Sequence, residues 1–126
     1  MAGSPRILIA EDNLVNRKVL LAFLGQLGHE ADVTADGHGV VDAVASSDYD
    51  IVLMDIRMPG LDGVEATVRM RAFGKDIHQP YVIAVTASAM ADDFERFRQA
   101  GIDAVLTKPV TLNQLADALL KVPEAA

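Results

Sequence analysis

The sequence predicts one doubly wound α/β domain, with five parallel strands and five helices. Its 126 residues are a usual size for one domain and too few for two ordinary ones. Short, continuous apolar runs alternate along the chain with segments of helical period. Continuous rather than alternating hydrophobicity is typical of strands covered on both faces of a parallel sheet. Such strands are joined by helical crossovers, so the expected sheet has helices on both faces.

The strands are predicted from the apolar runs. Four runs are rich in Ile, Val and Leu, and a weaker one, at 31–34, fits a strand nearer the edge of the sheet. In chain order the five runs are 7–10, 31–34, 51–54, 81–85 and 104–106. Together with the intervening helices they indicate a flavodoxin-like (β/α)5 arrangement.

The helices are predicted from apolar residues three or four positions apart. Gly28 fits the end of the first helix, and Thr111 with Gln114 supplies a capping box for the fifth. In chain order the marker residues are Leu20, Leu24 and Leu27; Val40, Val41 and Val44; Ala66, Met70 and Phe73; Phe94 and Phe97; and Leu112, Leu115, Ala116, Leu119 and Leu120. Arg69, Arg71, Arg96 and Arg98 are expected on solvated helix faces.

Composition excludes several classes of function. The chain has 11 basic and 18 acidic residues and a net charge of -7, which argues against direct nucleic-acid binding. It has no cysteine, and so no disulfide framework, thiolate metal site or cysteine nucleophile. No apolar run approaches the ~20 residues that span a bilayer, so we expect a cytoplasmic domain without membrane contact. The acidic surplus either serves solubility or gathers carboxylates around a cation.

Polar side chains lie at the ends of four of the five predicted strands. Glu11 and Asp12 follow the first strand, Asp55 ends the third, Thr86 ends the fourth, and the fifth runs into Lys108. Ligands of doubly wound sheets bind at this carboxyl edge. Carboxylates packed closely repel unless a cation neutralises them, and oxygen ligands in a shallow site favour Mg²⁺ over Ca²⁺. A carboxylate nucleophile with a lysine and a hydroxyl for phosphate oxygens makes a phosphoryl-acceptor site.

Each of these residues also has a structural interpretation when taken alone. Glu11 and Asp12 can be turn residues or helix caps, Thr86 can be a cap, and Lys108 can be a surface charge. Asp55 fits such a role poorly because it ends an apolar strand. The inference therefore rests on their joint placement. His29, His38 and His78 are expected in loops away from this edge, with surface roles.

With these motifs the chain resembles the receiver domain of two-component response regulators, over roughly residues 5–121. The matching stretches are 7–13 (ILIAEDN), 52–63 (VLMDIRMPGLDG), 85–87 (VTA) and 106–109 (LTKP). The presence of Asn16-Arg17 and Glu65-Ala66-Thr67 looks most like the receivers of hybrid sensor histidine kinases. The expected fold is then the receiver fold.

The resemblance implies a role for each site residue. Asp55 would accept a phosphoryl group from the phosphohistidine of a histidine kinase or a histidine phosphotransfer protein. Asp12, Asp55 and the backbone carbonyl of Arg57 would ligate Mg²⁺, with Mn²⁺ as an alternative, and Glu11 would act through a coordinated water. Thr86, Lys108 and the backbone N–H of Ala87 would bind the phosphoryl oxygens.

The resemblance also implies a switch. Lys108-Pro109 would be a cis peptide, and Thr86 would move toward the phosphoryl group while the surface of the fourth helix, fifth strand and fifth helix rearranges. Val105 stands where the family usually carries Tyr or Phe, so coupling would lack a ring swing or use another group such as Phe94. We also expect Arg57 to alter the lifetime of the aspartyl phosphate.

The expected organisation is a tail or cloning remnant at 1–4, a receiver domain at 5–122 and a tail at 123–126. The piece would come from a hybrid histidine kinase, whose parent could be membrane-anchored, or be a stand-alone response regulator. As an isolated domain it would be no enzyme beyond its own phosphorylation and dephosphorylation. The oligomeric state stays open.

Three other functions compete with this interpretation. A phosphatase of the haloacid-dehalogenase type needs a second Asp two residues after the nucleophile, where this chain has Arg57. A flavodoxin-like cofactor binder needs a phosphate-cradling loop after the first strand, where Glu11 and Asp12 would repel a phosphate. A degenerate receiver used as a scaffold is disfavoured because the acceptor, metal and phosphate residues are all present.

Overall fold

The predicted α/β fold is confirmed in a computed structural model, which describes residues 5–87 and 90–123, except the side chains of 91 and 92. Five parallel strands form one sheet in the order β2-β1-β3-β4-β5. The strands are β1 (Ile7–Ala10), β2 (Ala31–Thr34), β3 (Ile51–Asp55), β4 (Tyr81–Thr86) and β5 (Ala104–Thr107). The order reverses between β1 and β3, which opens a crevice at their carboxyl ends.

Helices cover both faces of the sheet and enclose two apolar cores. The helices are α1 (Leu14–Gln26), α2 (Gly37–Ser46), α3 (Gly63–Ala72), α4 (Ala91–Ala100) and α5 (Leu112–Leu120), with a 3-10 turn at Gly74–Asp76. Successive strand residues point to opposite faces. Ile7 and Ile9 therefore pack with α1 and α5, while Leu8 and Ala10 pack in the core that contains residues of α2, α3 and α4.

Side-chain caps fix where the helices begin. Asn13, Asp36, Asp62 and Thr111 each accept a hydrogen bond from the backbone N–H three residues on, at the starts of α1, α2, α3 and α5. The predicted capping box at Thr111 is confirmed. Because Asn13 caps α1, Asp12 is not needed as a cap and is available to the carboxyl edge.

Several sequence predictions need adjustment. Asp55 and Thr86 are the last residues of β3 and β4, as predicted, but β5 extends one residue beyond its predicted run. Phe73 does not belong to the apolar face of α3, since it follows the helix and is exposed, whereas Phe97 is in the core and Phe94 is exposed.

The placement of Arg71 on a solvated face is also wrong. Its guanidinium group donates hydrogen bonds to residues just before β4 and just before β5. Helical period alone predicts which face a residue lies on, but not a partner 30 residues further along the chain.

The predicted tail at 1–4 and residues 124–126 of the predicted tail at 123–126 lie outside the described residues. Pro123 is exposed. Within the described residues, no helix combines the length and apolar character needed to cross a bilayer.

Candidate functional site

Three carboxylates meet at the carboxyl edge of the sheet. In the parallel register of the two central strands, Ala10 lies opposite Met54, and this register brings the next residues, Glu11 and Asp55, side by side. Asp12 follows at the start of the loop to α1. One carboxylate oxygen from each of Glu11, Asp12 and Asp55 lies within 4.8 Å of the others. The predicted acidic cluster is therefore formed.

The cluster is buried at its base and open at its rim. Glu11 is 1% exposed and Asp55 6% exposed, whereas Asp12 is exposed. Within the described part of the chain, the Oε2 atom of Glu11 is buried and has no hydrogen-bond partner. A buried carboxylate oxygen without a donor costs free energy, so this atom marks an unmet need for positive charge.

Lys108 supplies the positive charge that the fold itself brings to the cluster. Its Nζ atom lies 3.3 Å from Glu11 Oε1 and 3.3 Å from Asp55 Oδ1, and its side chain is 27% exposed. The backbone N–H of Lys108 donates to the carbonyl of Thr86 at 2.8 Å. The Lys108-Pro109 peptide is cis, in agreement with the resemblance. Among the described residues, one ammonium group thus pairs with two of three carboxylates.

Burial and crowding shift the titration of the two buried acids in opposite directions. Burial, with hydrogen bonding to Glu11 and its negative charge, raises the pKa of Asp55 to about 7, although Lys108 acts against this. Burial also raises the pKa of Glu11, but hydrogen bonding to Asp55 and Asn16 and the Lys108 charge outweigh it, so this pKa lies below the usual value. Without a cation, the pair therefore tends to hold a proton on Asp55.

The other predicted site residues surround this cluster. Thr86 is buried at the end of β4, and Ala87 follows it and is exposed. Arg57 is exposed in the β3–α3 loop, and its backbone N–H donates to Asp55 Oδ1 at 3.3 Å. Val105 lies within β5 rather than at its carboxyl end, and it packs against the core that contains residues of α2, α3 and α4.

The donor set fits a hard divalent cation. Three oxygen donors lie close together, the rim is exposed on the side of Asp12, and Lys108 leaves one buried oxygen of Glu11 unpaired. Oxygen ligands with room for retained waters are typical of Mg²⁺ sites. The arrangement can hold such a cation beside a carboxylate that is free to act as a nucleophile.

A cleft beside the cluster was not predicted from the sequence. Its volume is about 360 Å³, and it lies along α1 and the loop between β5 and α5. The lining residues are Glu11, Asn16, Val19, Leu20, Val85, Lys108, Pro109 and Val110. Asn16 thereby joins the site. Its position three residues after the cap Asn13 gave a signal of helix start, but no signal of proximity to Glu11.

The histidine predictions hold in part. His29 and His78 lie in loops before β2 and β4, at the amino edge of the sheet. His38 lies in the first turn of α2, and a β-carbon placed on Gly60 would be 3.7 Å from its ring. The prediction of a loop position away from the carboxyl edge is therefore wrong for His38, which borders the β3–α3 loop.

Comparison with known proteins gives the same family throughout. A family model of the response regulator receiver domain matches residues 7–120. The sensor protein GacS of Pseudomonas syringae pv. syringae is 38% identical over 120 residues, which cover 94% of this chain and 13% of GacS. The chain thus spans a small part of that curated relative.

Two solved structures extend the comparison. The receiver domain of sensor histidine kinase PA1611 from Pseudomonas aeruginosa PAO1, with a magnesium ion in its active-site cleft, has a TM-score of 0.85 at 38% identity, covering 95% of this chain and 98% of that one. The receiver domain of Saccharomyces cerevisiae Ssk1, co-crystallised with the histidine phosphotransfer protein Ypd1, has a TM-score of 0.88 at 26% identity, covering 94% and 88%. With this fold, this site and these matches, the chain belongs to the family of response regulator receiver domains and is similar to those of hybrid sensor histidine kinases.

Proposed function

We propose that this domain is the phosphoacceptor of a two-component phosphorelay, with Asp55 as the residue that takes the phosphoryl group in a Mg²⁺-dependent reaction. The observation that carries the proposal is the buried pair of Glu11 and Asp55, with one unpartnered oxygen and one lysine between them. A purely structural cluster would have its charges balanced by the protein. This one needs a cation before Asp55 can ionise readily.

The residues at the edge have separate tasks in this reaction. Asp12, Asp55 and the backbone carbonyl of Arg57 would ligate Mg²⁺, or Mn²⁺ in its place, and Glu11 would hold a coordinated water. When bound, the ion neutralises the carboxylates and withdraws charge from the phosphoryl oxygens. The magnesium ion in the cleft of the 38% identical PA1611 receiver supports this assignment.

The transfer itself is a displacement at phosphorus. A carboxylate oxygen of Asp55 forms the new O–P bond while the P–N bond of phosphohistidine breaks, and the imidazole nitrogen leaves with the electron pair. Lys108 would shift from its two carboxylates to a phosphoryl oxygen. The hydroxyl of Thr86 and the backbone N–H of Ala87 would hold the others. We expect the domain to catalyse no reaction of other substrates.

A face for the phosphodonor lies next to the acceptor. Leu14, Val15 and Val19 on α1 are 56%, 67% and 42% exposed, and Val19 also lines the cleft beside Glu11 and Lys108. Exposed apolar groups clustered at a polar site are typical of a protein-binding surface. We assign this face to a histidine kinase or histidine phosphotransfer protein. The complex of the Ssk1 receiver with Ypd1 supports this class of partner.

Output would follow from Thr86 and the elements beside it. Thr86 accepts a backbone hydrogen bond from Lys108 and pairs with Thr107 across β4 and β5, so a shift at one strand end reaches the other. With Val105 in place of an aromatic residue, the surface of α4, β5 and α5 would respond without a ring swing. The parent protein would be either a hybrid histidine kinase that includes this domain or a stand-alone, single-domain response regulator.

Incubation with Mg²⁺ and acetyl phosphate tests the acceptor. Intact-mass analysis should find one acid-labile phosphoryl adduct, which Asp55→Asn abolishes and EDTA suppresses. Asp48→Asn is the matched control, because Asp48 is exposed in the loop between α2 and β3, and it should be phosphorylated like the wild type. An adduct that persists in Asp55→Asn, or steady turnover of phosphate esters without an adduct, would contradict the proposal.

A further inference from the structure

We propose that Gly37, in the first turn of α2, is a positioning residue for the metal site, although it lies on a different helix and carries no side chain. Its role is to let the loop between β3 and α3 (residues 56–62, the acceptor loop) pack directly on the backbone of α2. This inference rests on the proposed function, because the acceptor loop carries the Arg57 carbonyl that is assigned to Mg²⁺.

Three buried apolar residues anchor the acceptor loop. Ile56, Met58 and Leu61 are buried in the core, whereas Arg57 and Gly60 are exposed. The exposed part of the loop therefore lies between buried residues. The position of its backbone depends on the residues against which those buried side chains pack.

Leu61 rests against Gly37. A β-carbon built on Gly37 would lie 2.2 Å from the carbonyl oxygen of Leu61, 2.9 Å from its carbonyl carbon and 3.0 Å from its β-carbon. Two of these three atoms are backbone, so rotation of a side chain cannot relieve the overlap. Gly37 is not among the described glycines with positive φ. The glycine is thus required for space, not for an unusual conformation.

The other end of the acceptor loop is fixed in a similar way. The backbone N–H of Gly63 donates to the carbonyl of Ile56 at 2.9 Å. A β-carbon on Gly63 would lie 2.5 Å from the carbonyl oxygen of Asp55. The loop is therefore held at its end by α3 and near Leu61 by α2, with Arg57 between the two contacts.

Displacement of this loop should act on metal affinity. Mg²⁺ demands near-ideal octahedral geometry, with ligands at about 2.0–2.1 Å. Residues that orient metal ligands without touching the metal typically change affinity by about 10–100-fold when altered. A side chain at Gly37 would push Leu61 outward and move the Arg57 carbonyl relative to Asp12 and Asp55, while Asp55 itself stays fixed by β3.

The test compares Gly37→Ala with Gly39→Ala. Both changes add one methyl group to the first turns of α2, but a β-carbon on Gly39 would meet the side-chain hydroxyl of Thr34, at 1.9 Å, and not the acceptor loop. We expect Gly37→Ala to weaken Mg²⁺ binding about 10-fold by calorimetric titration, with phosphorylation by acetyl phosphate at saturating Mg²⁺ within about threefold of the wild type. Gly39→Ala should bind Mg²⁺ like the wild type.

Hydrogen exchange in the metal-free proteins gives a readout independent of the ion. The amides of Arg57 and Leu61 should exchange faster in Gly37→Ala than in the wild type, and those of Gly39→Ala should not. If Gly37→Ala does not fold, Leu61→Ala tests the same anchor from the loop side. It keeps the backbone atoms and β-carbon that face Gly37 but removes the rest of the buried side chain that holds the loop, so it should also weaken Mg²⁺ binding.

The outcomes separate this inference from the proposed function. Wild-type Mg²⁺ affinity in Gly37→Ala, or in Leu61→Ala where that variant is needed, overturns the role of Gly37 and leaves the acceptor assignment intact. Equal weakening in Gly39→Ala also overturns it, since general loosening of α2 would then be sufficient. A wild-type protein that binds no Mg²⁺ overturns the proposed function, and the inference falls with it.

Discussion

The two edges of the sheet use the same residue types in opposite ways. At the carboxyl edge, Lys108 lies 3.3 Å from both Glu11 and Asp55, and one buried oxygen of Glu11 has no partner among the described residues. At the amino edge, all three nitrogen atoms of the Arg71 guanidinium group donate hydrogen bonds to acceptors of the protein. Charge is therefore left unbalanced at the edge where we propose that a cation and a phosphoryl group bind, and it is balanced around Arg71 at the opposite edge.

The Arg71 network ties three segments together. Its Nε and Nη2 atoms donate to the carbonyl of Gly101 at 3.1 and 2.8 Å. Nη1 donates to Gln79 and to the carbonyl of Pro80 at 2.9 and 2.8 Å, and Nη2 lies 2.9 Å from Asp103 Oδ2. That oxygen also accepts from the backbone of Val82 at 2.8 Å. The end of α3, the start of β4 and the turn before β5 are thus joined by one planar group.

The largest expected effect is at this balanced edge. Arg71→Met removes the five hydrogen bonds that the guanidinium group donates. The carbonyl groups lose this donor, and the Asp103 carboxylate loses its charged partner but keeps the bond from the backbone of Val82. Loss of one member of a partly buried charged network is strongly destabilising. We expect the free energy of unfolding to fall by about 2–3 kcal/mol in urea titrations. Arg69→Met, on an exposed position of the same helix, is the control and should change it by less than about 0.5 kcal/mol.

A loss of stability at Arg71 that is no larger than at Arg69 would break the comparison, because the amino edge would then not depend on its balanced charges. Phosphorylation of Arg71→Met by acetyl phosphate should remain, since no atom of the network reaches Asp55.

A smaller and opposite effect is expected at the unbalanced edge. Burial and the charge of Glu11 raise the pKa of Asp55 to about 7 from an ordinary 3.8, so folding favours the protonated acid. This contribution to stability is fully present below about pH 4 and is lost as the pH rises through 7. In EDTA at pH 8, Asp55→Asn should therefore be more stable than the wild type by about 1–2 kcal/mol.

Thermal unfolding in EDTA across pH 4–8 measures this difference. The gap between Asp55→Asn and the wild type should shrink toward pH 4, where both side chains are neutral. Parallel pH profiles for the two proteins would contradict the raised pKa of Asp55. Addition of Mg²⁺ at pH 8 should stabilise the wild type more than Asp55→Asn, since the ion relieves the repulsion that the substitution has already removed.

The two edges also differ in how well the sequence predicts them. The placement of Glu11, Asp55 and Lys108 at one edge could be predicted from the sequence, because the carboxyl ends of parallel strands share that edge and each residue lies within two positions of the end of an apolar run. Arg71 could not be assigned, because its partners lie before other strands and their carbonyl groups leave no sequence signal. His38 was misplaced for a different reason, since the apolar markers of α2 begin at Val40 whereas the helix begins at Gly37.

Some features of the fold could likewise be predicted from the sequence, and others could not. Continuous apolar runs predicted β1, β3, β4 and β5, since both faces of the sheet are covered there. The weaker run at 31–34 predicted the edge strand β2, whose residues are half-buried or exposed. β3 and β4 end at Asp55 and Thr86, one residue beyond their apolar runs, because pairing with a neighbouring strand continues there. The close approach of Leu61 to Gly37 could not be predicted, since a glycine at a helix start has many explanations when only the sequence is known.

The smallest expected effect concerns Arg57, at the exposed rim of the unbalanced edge. Its backbone N–H donates to Asp55 Oδ1 and the residue is exposed, so we expect its guanidinium group to contact phosphoryl oxygens on Asp55 and shield them from water. Arg57→Ala should therefore shorten the lifetime of the aspartyl phosphate about two- to fivefold, which corresponds to less than about 1 kcal/mol in the barrier. The decay is followed by intact mass after removal of acetyl phosphate, with Arg57→Lys as the variant that keeps the charge. Equal decay rates for Arg57→Ala and the wild type would remove the side chain from the site and leave its backbone as the sole contribution of this residue.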